Sequence, residues 1–427
     1  MTTRAKPTRR AALAALAGLG GLAASGEIRP GGAQTPADAS PYQTKLPVRG
    51  KAGPGLEPFD SAMKAIMDRH GVPGAALAIA KGGKLLCARA YGWSNVAKGT
   101  ASEPDTLFGL ASLSKPITAV ATMKLVEEGK LKLDDAVFDI LNYIKPPPRT
   151  RVDPRLREIT VRHCLDHSGG WDRNVTGDVI NWEPQICRMY KVRPPLSPGK
   201  LISFVMGTPL NFKPGTDARY SNTGYIILGE VIAATSGQPY EQFVTEKVLK
   251  PMGITQTRMT GFDGKYVKGE TLRYLPGTLV SLPAMLLPMV NAAGGWSSSV
   301  VDMARFLTNI DGSRGESVLS EKTRKLMLAP PPAPLKPRAN GTWFGLGWDA
   351  VLTNDRGTTY FKEGSYQGMR TFMKRLPNGV NWALLYNASM EFDPQDMRIA
   401  ASTIREAREL IDKFEDYPDI DLFKEFP

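Results

Sequence analysis

The spacing of apolar residues changes along the chain, and each change predicts a different kind of element. In residues 57–71 the apolar positions recur at helical spacing and Gly71 closes the run, which predicts a helix that ends there. In residues 74–93 two apolar runs flank the pair Gly82-Gly83, which predicts a β-hairpin. Aromatic and β-branched runs later in the chain predict short strands at 343–352, 358–364, 369–377 and 380–388. A helix is predicted after them, at about 394–414.

This order of elements predicts an α+β fold, in which an antiparallel sheet is flanked by helices. Helical fragments interrupted by proline clusters fill about 131–308 and predict an inserted, mainly helical domain. Residues 40–56 are rich in Pro and Gly and are interpreted as a linker, so the folded domain is expected at 57–427. Residues 1–39 are interpreted as an export signal and the start of the linker. A cleft between the sheet and the helical part is the expected place for a substrate.

The N-terminal segment is typical of an export signal. Arg9 and Arg10 directly precede an apolar, small-residue run at 11–24, which is the arrangement of a cleavable twin-arginine signal. Cleavage after Ala33 or after Ala39 fits equally well. The chain is therefore expected to be exported, to the periplasm or beyond. The alternative is a basic disordered tail.

Composition and charge limit the classes of binding partner that we expect. The chain has 427 residues, of which 42% are hydrophobic and 22% charged, as in a globular protein. The formal charge is +12 and stays positive without the N-terminal segment, but no basic run is interleaved with aromatics, so nucleic acid is not an expected partner. No apolar run reaches the ~18 residues of a membrane span, so none is expected in the mature chain. The oligomeric state stays open.

The most informative short stretch is LASLSKPITA, which contains Ser112 and Lys115. A helix is predicted from Ser114, and two residues three apart in a first turn share a face. Burial lowers the pKa of a lysine by up to about 3–5 units, so a buried Lys115 can take the proton of a serine nucleophile. The alternative is a capping serine beside an exposed lysine.

Two further stretches carry polar groups of the same chemistry. Tyr220 and Asn222 lie two apart before an apolar helix, so in an extended segment they face the same way. A tyrosine beside a lysine can relay protons, and an asparagine amide can hydrogen-bond a substrate.

The late strand YFKEGSYQG carries Lys362, Gly364 and Ser365. A glycine in a strand allows close approach to a ligand. The backbone N–H of Ser365 can then pair with that of Ser112 as an oxyanion hole.

Together these motifs resemble the serine hydrolases of the penicillin-binding protein and class C β-lactamase superfamily. The resemblance runs from about Pro58 to Ala388 and includes LFGLASLSKPITA, ITVRHCLDHSGG and FKPGTDARYSNTGYIILGEVI. It implies a β-lactamase/DD-peptidase-like fold and acyl transfer through a covalent acyl-enzyme, with neither metal nor cofactor. It also implies a role for each residue. Ser112 is the nucleophile, Lys115 its base and Tyr220 a proton-transfer group. The substrate-binding or oxyanion groups are Asn222, Lys362, Gly364 and Ser365.

One position departs from the family pattern. The third motif, usually Lys-Thr-Gly, is Lys-Glu-Gly here, and a carboxylate at Glu363 repels an anionic ligand if it points into the cleft. Glu363 and Lys362 are strand neighbours and are expected to face opposite ways. The substitution favours an esterase or a peptidase acting on a small ester, amide or peptide. A β-lactamase remains an alternative, and so does a penicillin-binding sensor or peptide-binding protein without turnover.

The histidines raise two alternatives, a metal site and a Ser-His-Asp hydrolase, and we expect neither. His163 and His167 lie four apart, as in a helical metal pair, but the third histidine, His70, is far upstream, so no metal site is expected. No Gly-x-Ser-x-Gly motif occurs, which argues against a Ser-His-Asp hydrolase.

Overall fold

The fold is seen in a computed structural model that describes residues 46–260, 263–277, 280–284, 288–389 and 394–426, with the backbone alone at 394–401. Its strands are β1 Val48–Ala52, β2 Gly74–Lys81, β3 Lys84–Asn95, β4 Thr100–Ala101, β5 Phe108–Gly109, β6 Arg258–Met259, β7 Trp296–Ser298, β8 Ala350–Asn354, β9 Gly357–Tyr366, β10 Met369–Arg375 and β11 Val380–Tyr386. Its helices are α1 Glu57–His70, α2 Ser114–Glu127, α3 Val137–Ile140, α4 Val161–Leu165, α5 Arg173–Thr176, α6 Glu183–Tyr190, α7 Pro198–Met206, α8 Asn222–Ser236, α9 Tyr240–Val244, α10 Asn291–Gly294, α11 Val300–Ile310, α12 Glu321–Leu328 and α13 Pro394–Ile411.

The main sheet is antiparallel and joins the two ends of the folded unit. Its strand order is β1-β3-β2-β11-β10-β9-β8, and β4 pairs with β3. The C-terminal strand β11 therefore lies beside the N-terminal strand β2. This confirms the predicted α+β fold with an antiparallel sheet and flanking helices.

Both faces of the sheet are covered, which explains why β2 and β11 are apolar almost throughout. On one face, α1 packs beside α13 over a core that includes Phe59, Tyr91 and Trp382. On the other face, α11 packs against β2 and β11, and α2 and α8 belong to the same larger core. Ser112, Lys115 and Lys362 lie where that helical layer meets β9.

Several predicted elements are confirmed. The helix at 57–71 is α1, and Gly71 ends it in the left-handed conformation at φ 61°. The hairpin at 74–93 is β2 and β3, turning at Gly82 and Gly83.

Two predictions need correction. The linker predicted at 40–56 contains β1, which pairs with β3 from Val48 to Ala52, because alternating exposed and partly buried residues form an edge strand despite the glycine among them. The strand predicted at 343–352 is regular only from Ala350; before it, Trp343 makes a single bridge to Val351.

In its described residues, the region 131–308 holds α3 to α10, most of α11 and two short strands. Those strands, β6 and β7, join β5 in a small three-stranded sheet that the sequence pattern did not indicate. In the described residues no helix has the length and apolarity required to cross a membrane. The proposed signal at 1–39 lies outside the described residues.

Candidate active site

Ser112 lies in a tight turn between β5 and α2. Residues 111–113 form one turn of 3-10 helix, and α2 continues from Ser114. Ala111 has φ 47°, a left-handed conformation that a non-glycine residue rarely adopts. The turn is held from both sides: Leu110 N donates to Trp296 O at 2.8 Å, and Trp296 N donates to Ser114 Oγ at 3.2 Å. The fold thus maintains a strained backbone directly before Ser112.

Three side chains predicted to act together meet at this turn. Ser112 Oγ lies 2.6 Å from the hydroxyl oxygen of Tyr220 and 3.0 Å from Lys115 Nζ. Both distances are within hydrogen-bonding range. Residues 108 positions apart in sequence therefore share one hydrogen-bond network.

Lys115 is fully buried, although α2 begins only one residue before it. Its Nζ is 2.7 Å from Asn222 Oδ1 and 2.8 Å from the carbonyl oxygen of Ala293. Burial is the largest cause that lowers its pKa well below the usual 10.5, and the nearby charge of Lys362 lowers it further.

Asn222 is the first residue of α8, which Ser221 caps by accepting from Thr223 N. The Asn222 amide is fixed at both ends, because its Nδ2 donates to Asp178 Oδ2 at 2.7 Å while its Oδ1 faces Lys115. The sequence reasoning missed Asp178. It follows a glycine in a loop between two short helices, and no spacing linked it to the other motifs.

The Tyr220 ring is enclosed by cations and one histidine. Lys362 Nζ lies 4.7 Å and the Arg173 guanidinium 4.6 Å from the ring centroid. The His167 ring lies beside it, tilted by 34°, with the ring centroids 4.7 Å apart. Burial raises the pKa of the Tyr220 phenol far above its usual value, so it stays protonated over the physiological range.

Strand β9 forms the opposite wall and places Lys362 and Glu363 on opposite faces. Lys362 is fully buried and its Nζ lies 2.5 Å from Asp349 Oδ1. Glu363 points away from Lys362 and pairs with Arg370 Nη2 at 2.7 Å. The carboxylate at 363 therefore does not oppose an anion in the cleft, whereas Asp349, which the sequence did not suggest, reaches the lysine instead.

Gly364 lies directly against the serine turn. A Cβ at this position would be 2.5 Å from the carbonyl oxygen of Leu110, 2.3 Å from Thr371 Oγ1 and 3.1 Å from Ser112 N. Ser365 follows on the same strand, with its Oγ 3.2 Å from Ser389 Oγ. The pairing of the Ser365 and Ser112 amides as an oxyanion hole stays a prediction.

The paired histidines have other partners. His163 Nδ1 accepts from Thr160 N at the start of α4, and His167 Nδ1 accepts from Ser221 N, each at 3.2 Å. Burial lowers the pKa of His167 well below its usual value, and the lysine charges add to this effect. Over the part of the chain that the structure describes, no three His, Cys, Asp or Glu side chains form a group able to hold a metal.

An antiparallel sheet with a helical layer and a serine turn facing β9 is the architecture of β-lactamase- and penicillin-binding-protein-like proteins. The sequence profile named "Beta-lactamase" matches residues 59–409, and the chain belongs to this family of serine hydrolases.

Known relatives agree with this placement. Protein flp of Staphylococcus aureus (strain MW2) is 28% identical over 212 residues, which are 49% of this chain and 39% of flp. The octameric penicillin-binding protein homologue from Pyrococcus abyssi superposes with a TM-score of 0.65 at 28% identity, over 83% of this chain and 78% of that one. EstCE1, a hydrolase with promiscuous acyltransferase activity, has the same fold, with a TM-score of 0.64 at 21% identity over 82% of this chain and 98% of its own.

Proposed function

We propose that this protein is a serine hydrolase that cleaves a small ester or amide through a covalent acyl-enzyme on Ser112. Lys115 is the base and Tyr220 the second proton-transfer group. The observation that carries the proposal is the contact of Ser112 Oγ with both Lys115 Nζ and the Tyr220 hydroxyl, at 3.0 and 2.6 Å, beside a fully buried lysine.

The hydrogen-bond partners of Lys115 suit a neutral amine. A neutral amine has two N–H groups and one lone pair. Asn222 Oδ1 and Ala293 O can only accept, so they take both N–H groups. The lone pair then faces Ser112 Oγ, which is the orientation a general base requires. The Tyr220 O–H is left to donate to the same oxygen.

The chemical steps follow from this proton arrangement. Ser112 transfers its proton to Lys115 while Oγ forms a bond to the substrate carbonyl carbon. When the bond to the leaving group breaks, Tyr220 supplies the proton that the leaving group needs, and the Lys115 ammonium returns a proton to Tyr220. In deacylation a water molecule attacks the acyl carbon, its proton passes to the same pair, and Ser112 regains its own.

A carboxylesterase or peptidase is the favoured form of this activity. The buried Lys362 is neutralised by Asp349, which leaves it poorly suited to a substrate carboxylate such as that of a β-lactam. EstCE1, a hydrolase with promiscuous acyltransferase activity, has the same fold. Asn222 Nδ2 gives one of its two N–H groups to Asp178, and we propose that the other orients the substrate.

Short acyl p-nitrophenyl esters and nitrocefin test the proposal. We expect turnover of p-nitrophenyl acetate or butyrate, and nitrocefin hydrolysis that is slower. Ser112→Ala should lower ester turnover by at least about 10³-fold, since the nucleophile is lost. Its free energy of unfolding should change by only about 1 kcal/mol, the net worth of a typical hydrogen bond.

Other outcomes would point elsewhere. A burst of one nitrophenol per chain without further turnover would identify an acylated sensor. Nitrocefin hydrolysis that is much faster than ester cleavage would identify a β-lactamase. Full activity in Ser112→Ala would remove the proposed nucleophile.

We also propose that the chain is exported by the twin-arginine route. The support is the sequence of Arg9, Arg10 and the apolar run at 11–24.

A further inference from the structure

A buried cation stands beside the proposed proton-transfer tyrosine without contact to solvent. Lys362 is fully buried, and its Nζ lies 4.7 Å from the centroid of the Tyr220 ring. An unpaired ammonium in this position would attract any substrate anion that entered the site, because charges interact strongly away from water. Asp349 is the only carboxylate that pairs with Lys362 among the described residues.

Asp349 is held in place through both its side chain and its backbone. One carboxylate oxygen lies 2.5 Å from Lys362 Nζ, and the other accepts from Glu363 N at 3.0 Å. Its backbone carbonyl accepts from Arg338 Nη1 at 2.9 Å, and the Arg338 guanidinium stacks 4.0 Å from the Phe344 ring centroid. Because both oxygens are used, this carboxylate cannot swing away from Lys362 without losing two hydrogen bonds.

The other cation at Tyr220 also has a carboxylate near it. Arg173 Nη1 lies 3.8 Å from Asp178 Oδ2, and its side chain is about half exposed. The Asp178 carboxylate accepts from Asn222 as well. Lys362 and Arg173 are therefore each opposed by one aspartate, and the pair at Lys362 is the closer and more deeply buried of the two.

We propose that Asp349 determines substrate charge: it occupies Lys362 and so selects substrates without a carboxylate on the side that faces β9. This rests on the proposed hydrolase function and adds the substrate class. Removing the negative charge at 349 frees Lys362 to pair with a substrate anion, so specificity should turn towards carboxylate-bearing substrates.

A matched pair of thioesters tests this proposal. The benzoylglycyl thioesters of mercaptoacetate and of mercaptoacetamide have the same shape, and only the first carries a carboxylate. We expect the wild-type protein to prefer the amide by at least ten-fold in kcat/KM. Asp349→Asn should shrink that preference by at least ten-fold or reverse it.

Two further variants test whether the change in charge preference comes from the Asp349–Lys362 ion pair. Asp355→Asn removes the same charge from the exposed β8–β9 turn and should leave the preference unchanged. The double variant Asp349→Asn with Lys362→Gln removes both members of the ion pair, a change that folded proteins often tolerate. It should not gain carboxylate preference, since the lysine that would bind the anion is gone.

Binding measurements separate this proposal from the hydrolase itself. Calorimetric titration of both thioesters into Ser112→Ala, and into Ser112→Ala with Asp349→Asn, reports the charge preference without turnover. The expected preference in binding, together with an inactive wild-type protein, would refute the hydrolase and support the role of Asp349. A folded Asp349→Asn variant with the wild-type preference in both assays, or a wild-type protein that favours the carboxylate, would overturn that role.

Discussion

At the scale of single residues, the burial and the charged neighbours of the Lys115 amine determine whether it can act as a base. Its position three residues after Ser112 is an ordinary spacing on a helix. Complete burial and the nearby charge of Lys362 lower its pKa, while the carboxylates of Asp178 and Asp349 raise it. The balance of these groups sets the pH at which the amine becomes a base.

This balance predicts the pH dependence of the reaction. Protonated Lys115 cannot accept the proton of Ser112, so kcat/KM should fall as the pH drops through the lysine pKa, which lies well below 10.5. Asp178→Asn removes a charge that raises this pKa, so the acidic limb of the pH profile should move to lower pH. A profile of p-nitrophenyl butyrate hydrolysis measures the shift.

The control for this experiment is Asp217→Asn. Asp217 lies three positions before Tyr220 and pairs with Arg219 at 2.8 Å, and it is not among the main groups that act on the pKa of Lys115. Its profile should match that of the wild-type protein. An unchanged limb in Asp178→Asn would contradict the proposed link between Asp178 and the base.

At the scale of elements, the site depends on how closely a strand approaches a turn. The 3-10 turn at 111–113 and β9 belong to distant parts of the chain, and Thr371 Oγ1 on β10 ties them together by donating to Leu110 O at 2.8 Å. Gly364 fits between them because it has no Cβ. Gly364 on β9 thus lies close to the Ser112 amide, since a Cβ there would be 3.1 Å from Ser112 N.

Gly364→Ala should therefore damage both activity and stability. Two of the three atoms that a Cβ would meet are backbone atoms, so no side-chain rotation relieves the clash. We expect ester turnover to fall by about 100-fold, with an overpacking cost of about 1–3 kcal/mol in unfolding free energy. Steady-state kinetics and thermal melting measure the two effects.

Gly199→Ala is the matched substitution for comparison. Gly199 lies in α7, and a Cβ there would meet only Ile144 Cδ1 at 4.0 Å. Its activity and stability should be nearly those of the wild-type protein, because the extra methyl has room. Retained activity in Gly364→Ala would show that the close approach of β9 is not required.

At the scale of the whole molecule, one sheet separates two hydrophobic cores. The larger core joins the site-bearing helices to the sheet, and the smaller one lies under α1 and α13. The cysteines of the described residues, Cys87, Cys164 and Cys187, are buried and unpaired, so this folded unit contains no disulfide. Such a unit can form in a reducing compartment before export, as the twin-arginine route requires.

Export can be measured on the full chain. Replacing Arg9 and Arg10 together by lysine should leave the protein in the cytoplasm as an uncleaved precursor, since the signal is read through its arginine pair. Arg29→Lys keeps the pair and should be exported as the wild-type chain. Fractionation of a bacterial host with detection of both forms gives the answer; unaffected export of the double variant would favour the basic disordered tail.

The sequence by itself determined the fold class, the hairpin at 74–93, the helix at 57–71, and the candidates Ser112, Lys115 and Tyr220. Apolar periodicity is a local property, and the motif spacing carries the family resemblance. The sequence also indicated that Lys362 and Glu363 face opposite sides of the sheet, because the alternation of side chains along a strand is a local property.

Only the tertiary structure decided what those side chains meet. Asp178 and Asp349 reach Asn222 and Lys362 from loops that have no spacing relation to them. The edge strand β1 emerged from a segment whose composition resembles a linker, because pairing with β3 supplies hydrogen bonds that no local pattern records. Burial, partner identity and pKa all depend on contacts between distant segments, and these arise only when the chain packs.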